Sequence, residues 1–335
     1  MHKFNCLRLA DINSIYLVHG LNGDRIDTFT FTRPDGSKCF WPKDLLPQAL
    51  HDHGIKCRIY CYGYNAHTNT GRISLQSFWD HGEELLKTIA EERELKGEQK
   101  RPIIFLAHSL GGLLVKCALH LSYLSSAADD PVSRAVFLST HSVFFFGVPH
   151  QGGDATAVSL GQIALNIVGV ARNTNSKIVD ILEPDNQALE ANFASYNKIS
   201  HNFHQRSYWE KYLTPVKLLN MEIKHIWVSF LLLVCPYTKL TCQKVVPKSS
   251  AIIPGMKNDQ AIPLDKDHVG LVRYSSADDP DFKAVCRGLI LEIRKGTRFI
   301  NDRWANWNME LRASGCKLYD EGNGELMYLN RTTAD

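Results

Sequence analysis

The sequence predicts an α/β fold, a mostly parallel central sheet with helices on both faces, and three observations carry that expectation. Four short apolar runs lack the alternation of a half-exposed strand: IYLV (15–18), CRIYCY (57–62), PIIFLA (102–107) and VFFFGV (143–148). Runs of this kind suit strands buried on both faces. Helical periodicity fills the intervals between them, and alternation of strand with helix builds a parallel sheet. Finally, FLAHSLGG (105–112) runs from an apolar strand straight into a serine with two glycines behind it.

The elements follow in chain order. Strand 15–18 leads into LVHGLNG (17–23), where Gly20 lets the backbone turn sharply. A helix is expected over 42–52, a strand over 57–62, and a helix over 74–92. Strand 102–107 precedes helix 109–124, whose Leu110, Leu113, Leu114, Cys117, Leu121 and Leu124 fall on one stripe. After strand 143–148, residues 155–200 read as a mostly helical, lid-like excursion, and KVVP (244–247) reads as a late strand. Periodicity weakens after Gly296. The expected organisation is one domain over 12–295 and a loosely attached C-terminal extension over 297–335.

Composition sets limits on function. The chain has 335 residues, 38 basic and 35 acidic, with no block of like charge. That balance argues against a nucleic-acid surface or a polybasic membrane anchor. Nine cysteines carry no CxxC pair or zinc-ligand spacing, so reduced thiols are expected, and neither metal nor cofactor. The start, MHKFNCLRLADINS, lacks the apolar core of a secretory signal, which makes Asn330-Arg331-Thr332 a chance glycosylation match and the expected location intracellular.

The serine stretch has the form of a nucleophile elbow. Strand 102–107 ends at Ala107, a helix begins by Leu110, and Ser109 sits on the turn between them. Ala107 and Gly111, two residues either side of Ser109, are small, as the crowding of such a turn demands; the motif is A-x-S-x-G rather than G-x-S-x-G. The bland reading of a serine before a helix is an N-cap. The buried strand in front of it favours a nucleophile.

A serine hydroxyl needs a base, an orienting acid and oxyanion donors, which this strand–turn–helix context supplies in the order serine, acid, histidine. Of fourteen histidines, His225 and His268 lie well beyond residue 210. His268, in the polar loop PLDKDHVGL after KVVP, is the candidate base. Oxyanion donors are expected from the amide of Leu110 and from that of Leu21 or Asn22 beyond Gly20. His19 reads as a structural hydrogen-bonding residue of that loop.

LVHGLNG, FLAHSLGG, FFFGVPHQGG (144–153) and VVPKSSAIIPG with IPLDKDHVGL (245–254, 262–271) together resemble the α/β-hydrolase superfamily. Within it they are similar to intracellular lipase-like families that include serine-active-site-containing proteins and, more distantly, GPI inositol-deacylases. Modules at the N-terminus of fungal NACHT and ankyrin-repeat proteins look alike too. The resemblance spans about 12–295. It implies a serine hydrolase that cleaves or transfers an acyl group from an ester, with lipid esters as the substrate class, and peripheral contact with mitochondrial or endoplasmic-reticulum membranes. It implies an acid at the end of the strand before KVVP, where SYWEK (207–211) supplies Glu210, with Asp180 and Asp185 as alternatives. His19, Gly20, His108 and His150 become candidates for lining the substrate site, His150 as either structural or substrate-facing. The rival reading is a catalytically weak or inactive module with protein partners in signalling.

One segment departs from this pattern. Residues 216–242 hold IWVSFLLLVC (226–235), a ten-residue uncharged run too short to span a bilayer. It reads as an extra buried element, a flap dipping into a membrane interface, or sequence from an unspliced intron. On the last reading Glu210 and His268 would be pushed out of register.

Overall fold

The structure is a computed structural model that describes residues 2–5, 12–20, 23–64, 75–126, 129–150, 187–215, 242–243, 245–246, 248–252 and 259–313. Its strands are β1 (His2–Asn5), β2 (Ile12–Val18), β3 (Thr30–Thr32), β4 (Lys38–Phe40), β5 (Lys56–Tyr62), β6 (Ile103–His108), β7 (Thr140–Phe146), β8 (His204–Glu210), β9 (Thr214–Pro215), β10 (Cys242–Gln243) and β11 (Asp259–Leu264). Its helices are α1 (Trp41–Asp44), α2 (Leu46–His51), α3 (Leu75–Glu94), α4 (Gly111–Leu124), α5 (Pro131–Ser139), α6 (Gln187–Ile199), α7 (Lys248–Ala251) and α8 (Pro280–Ala313).

The main sheet runs β1-β5-β2-β6-β7-β8-β11. β1 is antiparallel to β5, and the other six strands are mutually parallel. Because side chains alternate along a strand, each strand feeds two cores. Tyr16, Val18, Phe105, Val143 and Phe145 pack beneath α3, α4, α5 and α6. Ile15, Leu17, Ile104, Leu106, Phe144 and Phe146 pack against α1, α2 and the first half of α8. The parallel register brings the carboxyl ends of β2, β6, β7, β8 and β11 to one edge, where an open α/β sheet presents its loops.

Several expectations need correction. The helix expected over 42–52 is two short helices, interrupted at Leu45. α4 begins at Gly111, leaving Ser109 outside it; its end, Leu124, is exposed. Strand 143–148 stops at Phe146, because Gly147 adopts a φ of 56°.

Within KVVP, Val245 and Val246 lie in a bend and not in a strand, and their N–H groups donate to the Glu210 carboxylate, which removes them from any ladder; Lys244 and Pro247 lie outside the described residues. The strand before His268 is β11, DQAIPL, whose Pro263 is tolerated because β11 is the sheet's outer strand.

The boundary expected at 296 falls inside α8, which continues unbroken to Ala313. Ile300, Trp304 and Trp307 are buried in the core beside α5, where Trp304 Nε1 donates to Ser139 Oγ, so residues 297–313 are part of the domain. α8 therefore starts on one face and ends on the other. Between them Gly296 passes close to Asn13 and His141, at the amino ends of β2 and β7. Of the excursion over 155–200, α6 and the turn after it are described; residues 155–186, 216–241 and 314–335 lie outside the described residues. No helix among the described residues is long and apolar enough to cross a membrane.

Candidate active site

β6 ends at His108 and α4 starts at Gly111, so Ser109 and Leu110 form the turn. Ser109 has a φ of 54°, alone in this region among the described non-glycine residues. A left-handed conformation costs an L-residue about 1–2 kcal/mol and persists only where the surroundings enforce it. Here the Ser109 N–H donates to the Phe146 carbonyl (2.9 Å), and the Ser109 carbonyl accepts from Gly112 N–H (3.1 Å). The crowding is real. A Cβ on Gly111 would stand 2.2 Å from the His19 carbonyl oxygen, and one on Gly20 would stand 2.8 Å from Ser109 Cβ.

His268 arrives on the loop after β11. Its Nε2 lies 3.1 Å from Ser109 Oγ and its Nδ1 lies 2.8 Å from Glu210 Oε2. A carboxylate only accepts, so Nδ1 carries the proton and donates it to Glu210, leaving the Nε2 lone pair for the Ser109 hydroxyl. Glu210 Oε1 accepts from Val245 N–H (2.6 Å) and Val246 N–H (3.1 Å), which fixes the carboxylate plane. All three residues are buried, at 2% exposure or less.

The support for His268 is threefold. Its N–H donates to Thr214 Oγ1 (3.0 Å), and its carbonyl accepts from His108 Nε2 (3.0 Å). Gly147, at φ 56°, leaves the space that the ring occupies: a Cβ there would stand 2.8 Å from His268 Cε1 and Nδ1. Gly147 N–H donates to the Tyr208 carbonyl, tying that turn to β8. Gly147, Thr214, Val245 and Val246 were not singled out in the sequence. The one signal for Gly147 was its place in GVPHQGG.

The other expected residues divide. His108 is buried and committed to the His268 carbonyl; burial, then the neighbouring His268, holds its pKa well below the ordinary value, so a single N–H remains and it points at that loop. It holds the base rather than facing a substrate. His19 Nδ1 donates to the Gly20 carbonyl, its ring stacks on Tyr64 at 4.4 Å, and its own carbonyl accepts from Tyr64 Oη. Gly20 lies against Ser109. His150 is buried edge-on to Phe145 at 4.6 Å, with no hydrogen bond to either ring nitrogen among the described residues. Leu110 N–H stands at the start of α4, one of the donors a helix leaves unpaired. Leu21, Asn22, Asp180, Asp185 and His225 lie outside the described residues.

No family model matches the chain. Over 157 residues it is 29% identical to Protein SERAC1 of Danio rerio, covering 41% of this chain and 22% of that protein. Over 123 residues it is 28% identical to Protein SERAC1 of Bos taurus, covering 36% and 17%. The chain thus spans about a fifth of the length of these curated relatives. Among solved structures, the mature form of the Bacillus licheniformis lipase BlEst2 aligns with 86% of this chain and 98% of its own at 16% identity, with a TM-score of 0.43. The fold class, an α/β hydrolase, stands on the strand order and the serine turn of this chain.

Proposed function

We propose that the chain is a serine hydrolase that cleaves or transfers the acyl group of an ester, with Ser109 as nucleophile, His268 as base and Glu210 as its orienting acid. The observation that carries this reading is the continuous relay from Glu210 through His268 to a serine held at positive φ. Ser109 Oγ attacks the ester carbonyl carbon while its proton passes to His268 Nε2. The imidazolium so formed keeps its Nδ1–H on Glu210. The oxyanion takes the N–H of Leu110 and a second donor beyond Gly20, assigned to Leu21. On collapse, His268 returns the proton to the departing alcohol. Water, or another alcohol in the transfer reaction, then enters with His268 again as base and releases the acyl group from Ser109.

A lipid ester as substrate, peripheral membrane contact and a location near mitochondrial or endoplasmic-reticulum membranes rest on the resemblance carried by the sequence motifs. Two readouts test the proposal. A fluorophosphonate probe is expected to label the wild-type chain and neither Ser109→Ala nor His268→Ala. Folded wild-type protein that resists labelling would overturn the hydrolase reading and favour a signalling module with protein partners. Phosphatidylcholine vesicles compared with short water-soluble nitrophenyl esters test the lipid class; turnover confined to the soluble esters would remove it.

A further inference from the structure

At the end of the sheet opposite Ser109, three side chains converge without an evident purpose. His141 is the second residue of β7, His204 the first of β8, and Glu292 lies on α8 one turn before Gly296. Each offers a ligand atom within 4.8 Å of the other two. The hydrogen-bond accounting there does not close. His141 is fully buried and its Nε2 has no partner; Glu292, 2% exposed, leaves Oε2 without a hydrogen bond, with His204 Nδ1 3.3 Å away. Buried polar atoms are rarely left so, because an unpaired one has given up its water partners for nothing in return.

We propose that His141, His204 and Glu292 form a site for a divalent first-row transition metal ion, with zinc as the fitting case. The groups around the three are arranged as partners of metal ligands usually are. Ser142 Oγ lies 2.6 Å from His141 Nδ1 and fixes that ring, so that Nε2 is left to bind. Arg206 donates to Glu292 Oε1 at 2.8 Å, which orients the carboxylate and leaves Oε2 facing the histidines. The His141 and His204 rings stack at 4.9 Å and 22°, so small ring rotations bring both nitrogens onto one ion. His204 has a side-chain exposure of 36%, which opens the site to solvent and to a water as fourth ligand.

The charge around the site decides which ion. Arg206 and Lys295 both approach Glu292, and Arg303 acts on both histidines. Calcium and magnesium depend on a surplus of oxygen ligands and negative charge, and this setting repels them. Zinc gains from imidazole nitrogen itself, so two neutral histidines and one carboxylate suffice. The consequence is structural: the ion would clasp α8 to the amino ends of β7 and β8, about 17 Å from the serine end of β7 at the usual rise per residue. No local motif announces the site, because the three ligands come from positions 141, 204 and 292.

The test uses the whole chain, stripped with a chelator and then titrated with zinc, and with cobalt as a coloured substitute. The expected result is one equivalent bound, a melting temperature raised by about 5 °C at a hundredfold excess over Kd, and cobalt d–d absorption of low coordination number. His204→Ala, at a half-exposed position that should fold, is expected to weaken zinc at least about 10-fold and to abolish the cobalt spectrum. Glu292→Gln should do the same, while His53→Ala and His268→Ala should not. No stoichiometric binding by the wild type, or unchanged affinity in His204→Ala, overturns the site. Fluorophosphonate labelling should survive zinc removal, so the failure of this proposal is separable from failure of the hydrolase reading.

Discussion

Gly147→Ala offers a sharp test of how the base is held. Gly147 sits at φ 56°, and an added Cβ would lie 2.8 Å from His268 Cε1 and Nδ1 and 2.9 Å from Leu271 Cδ1. Ordinary contact begins near 3.4 Å, so the ring must retreat by roughly 0.6 Å or the Gly147 turn must open. The turn is tied to β8 through the Tyr208 carbonyl, which leaves the ring as the part that yields. The Ser109–His268 separation of 3.1 Å would then reach the limit of a useful hydrogen bond. A misplacement near 1 Å costs about 100-fold in rate, so a loss of about 10- to 100-fold is expected in fluorophosphonate labelling rate. Stability should fall by about 1–2 kcal/mol from the left-handed alanine alone. Gly54→Ala separates the two effects, because Gly54 has φ 70° and nothing within 4 Å of its Cβ: it should lose stability and keep its labelling rate. Wild-type labelling by a folded Gly147→Ala protein would refute the account.

Glu210→Gln keeps the shape of the side chain but cannot accept at both ends; by analogy with other such relays, turnover of a nitrophenyl ester should fall about 10⁴-fold, and a loss under tenfold would remove Glu210 from its role. His150 is held well below the ordinary histidine pKa, first by burial and then by Lys116. The unfolded chain therefore protonates first as pH falls, and the stability tied to His150 is full above about pH 6.5 and drains below it by up to about 1.4 kcal/mol per pH unit. Urea midpoints measured from pH 7 to 5 should decline less steeply in His150→Leu; an unchanged slope would contradict this. Trp304→Ala removes a ring that is 2% exposed and whose Nε1 donates to Ser139 Oγ, so a loss of about 3–5 kcal/mol in chemical denaturation is expected. A near-neutral result would restore the view of a loose extension.

What was legible in the sequence was local. Ser109 could be read because the small residues around it and the strand before it are all within a few positions. β5, β6 and β7 could be read because strands buried on both faces are continuously apolar. β11 carries no such run, because an outer strand tolerates Asp259, Gln260 and Pro263, and the apolar pair of KVVP looks like a strand while it serves a carboxylate instead of a ladder. Ile300, Trp304, Trp307 and Leu311 did carry a helical spacing, diluted by Asn301, Asp302, Arg303 and Asn306 between them. Thr214 has no local signature, and Gly147 only its place in GVPHQGG, since their roles exist only once β7, β8 and the His268 loop meet.

The segment 216–241 can be judged from its two ends. β9 and β10 pair antiparallel, with Pro215 opposite Cys242 and Thr214 opposite Gln243, so the chain leaves and re-enters through a two-rung ladder. Both sides of that ladder serve the relay: Thr214 holds His268, and the residues just after Gln243 supply the amides that hold Glu210. The loss of register that the intron reading would bring is absent, since Glu210 and His268 meet at 2.8 Å across this ladder. Replacing 216–241 with Asn-Gly, a two-residue hairpin turn, should preserve the geometry of the site. Shortening the connection from 26 residues to two should also stabilise the fold, by about 2 kcal/mol on the closure entropy of a chain of that length. The measurement is fluorophosphonate labelling alongside a urea midpoint. Retained labelling with a higher midpoint is expected; a folded variant that no longer labels would mean that the segment itself completes the site.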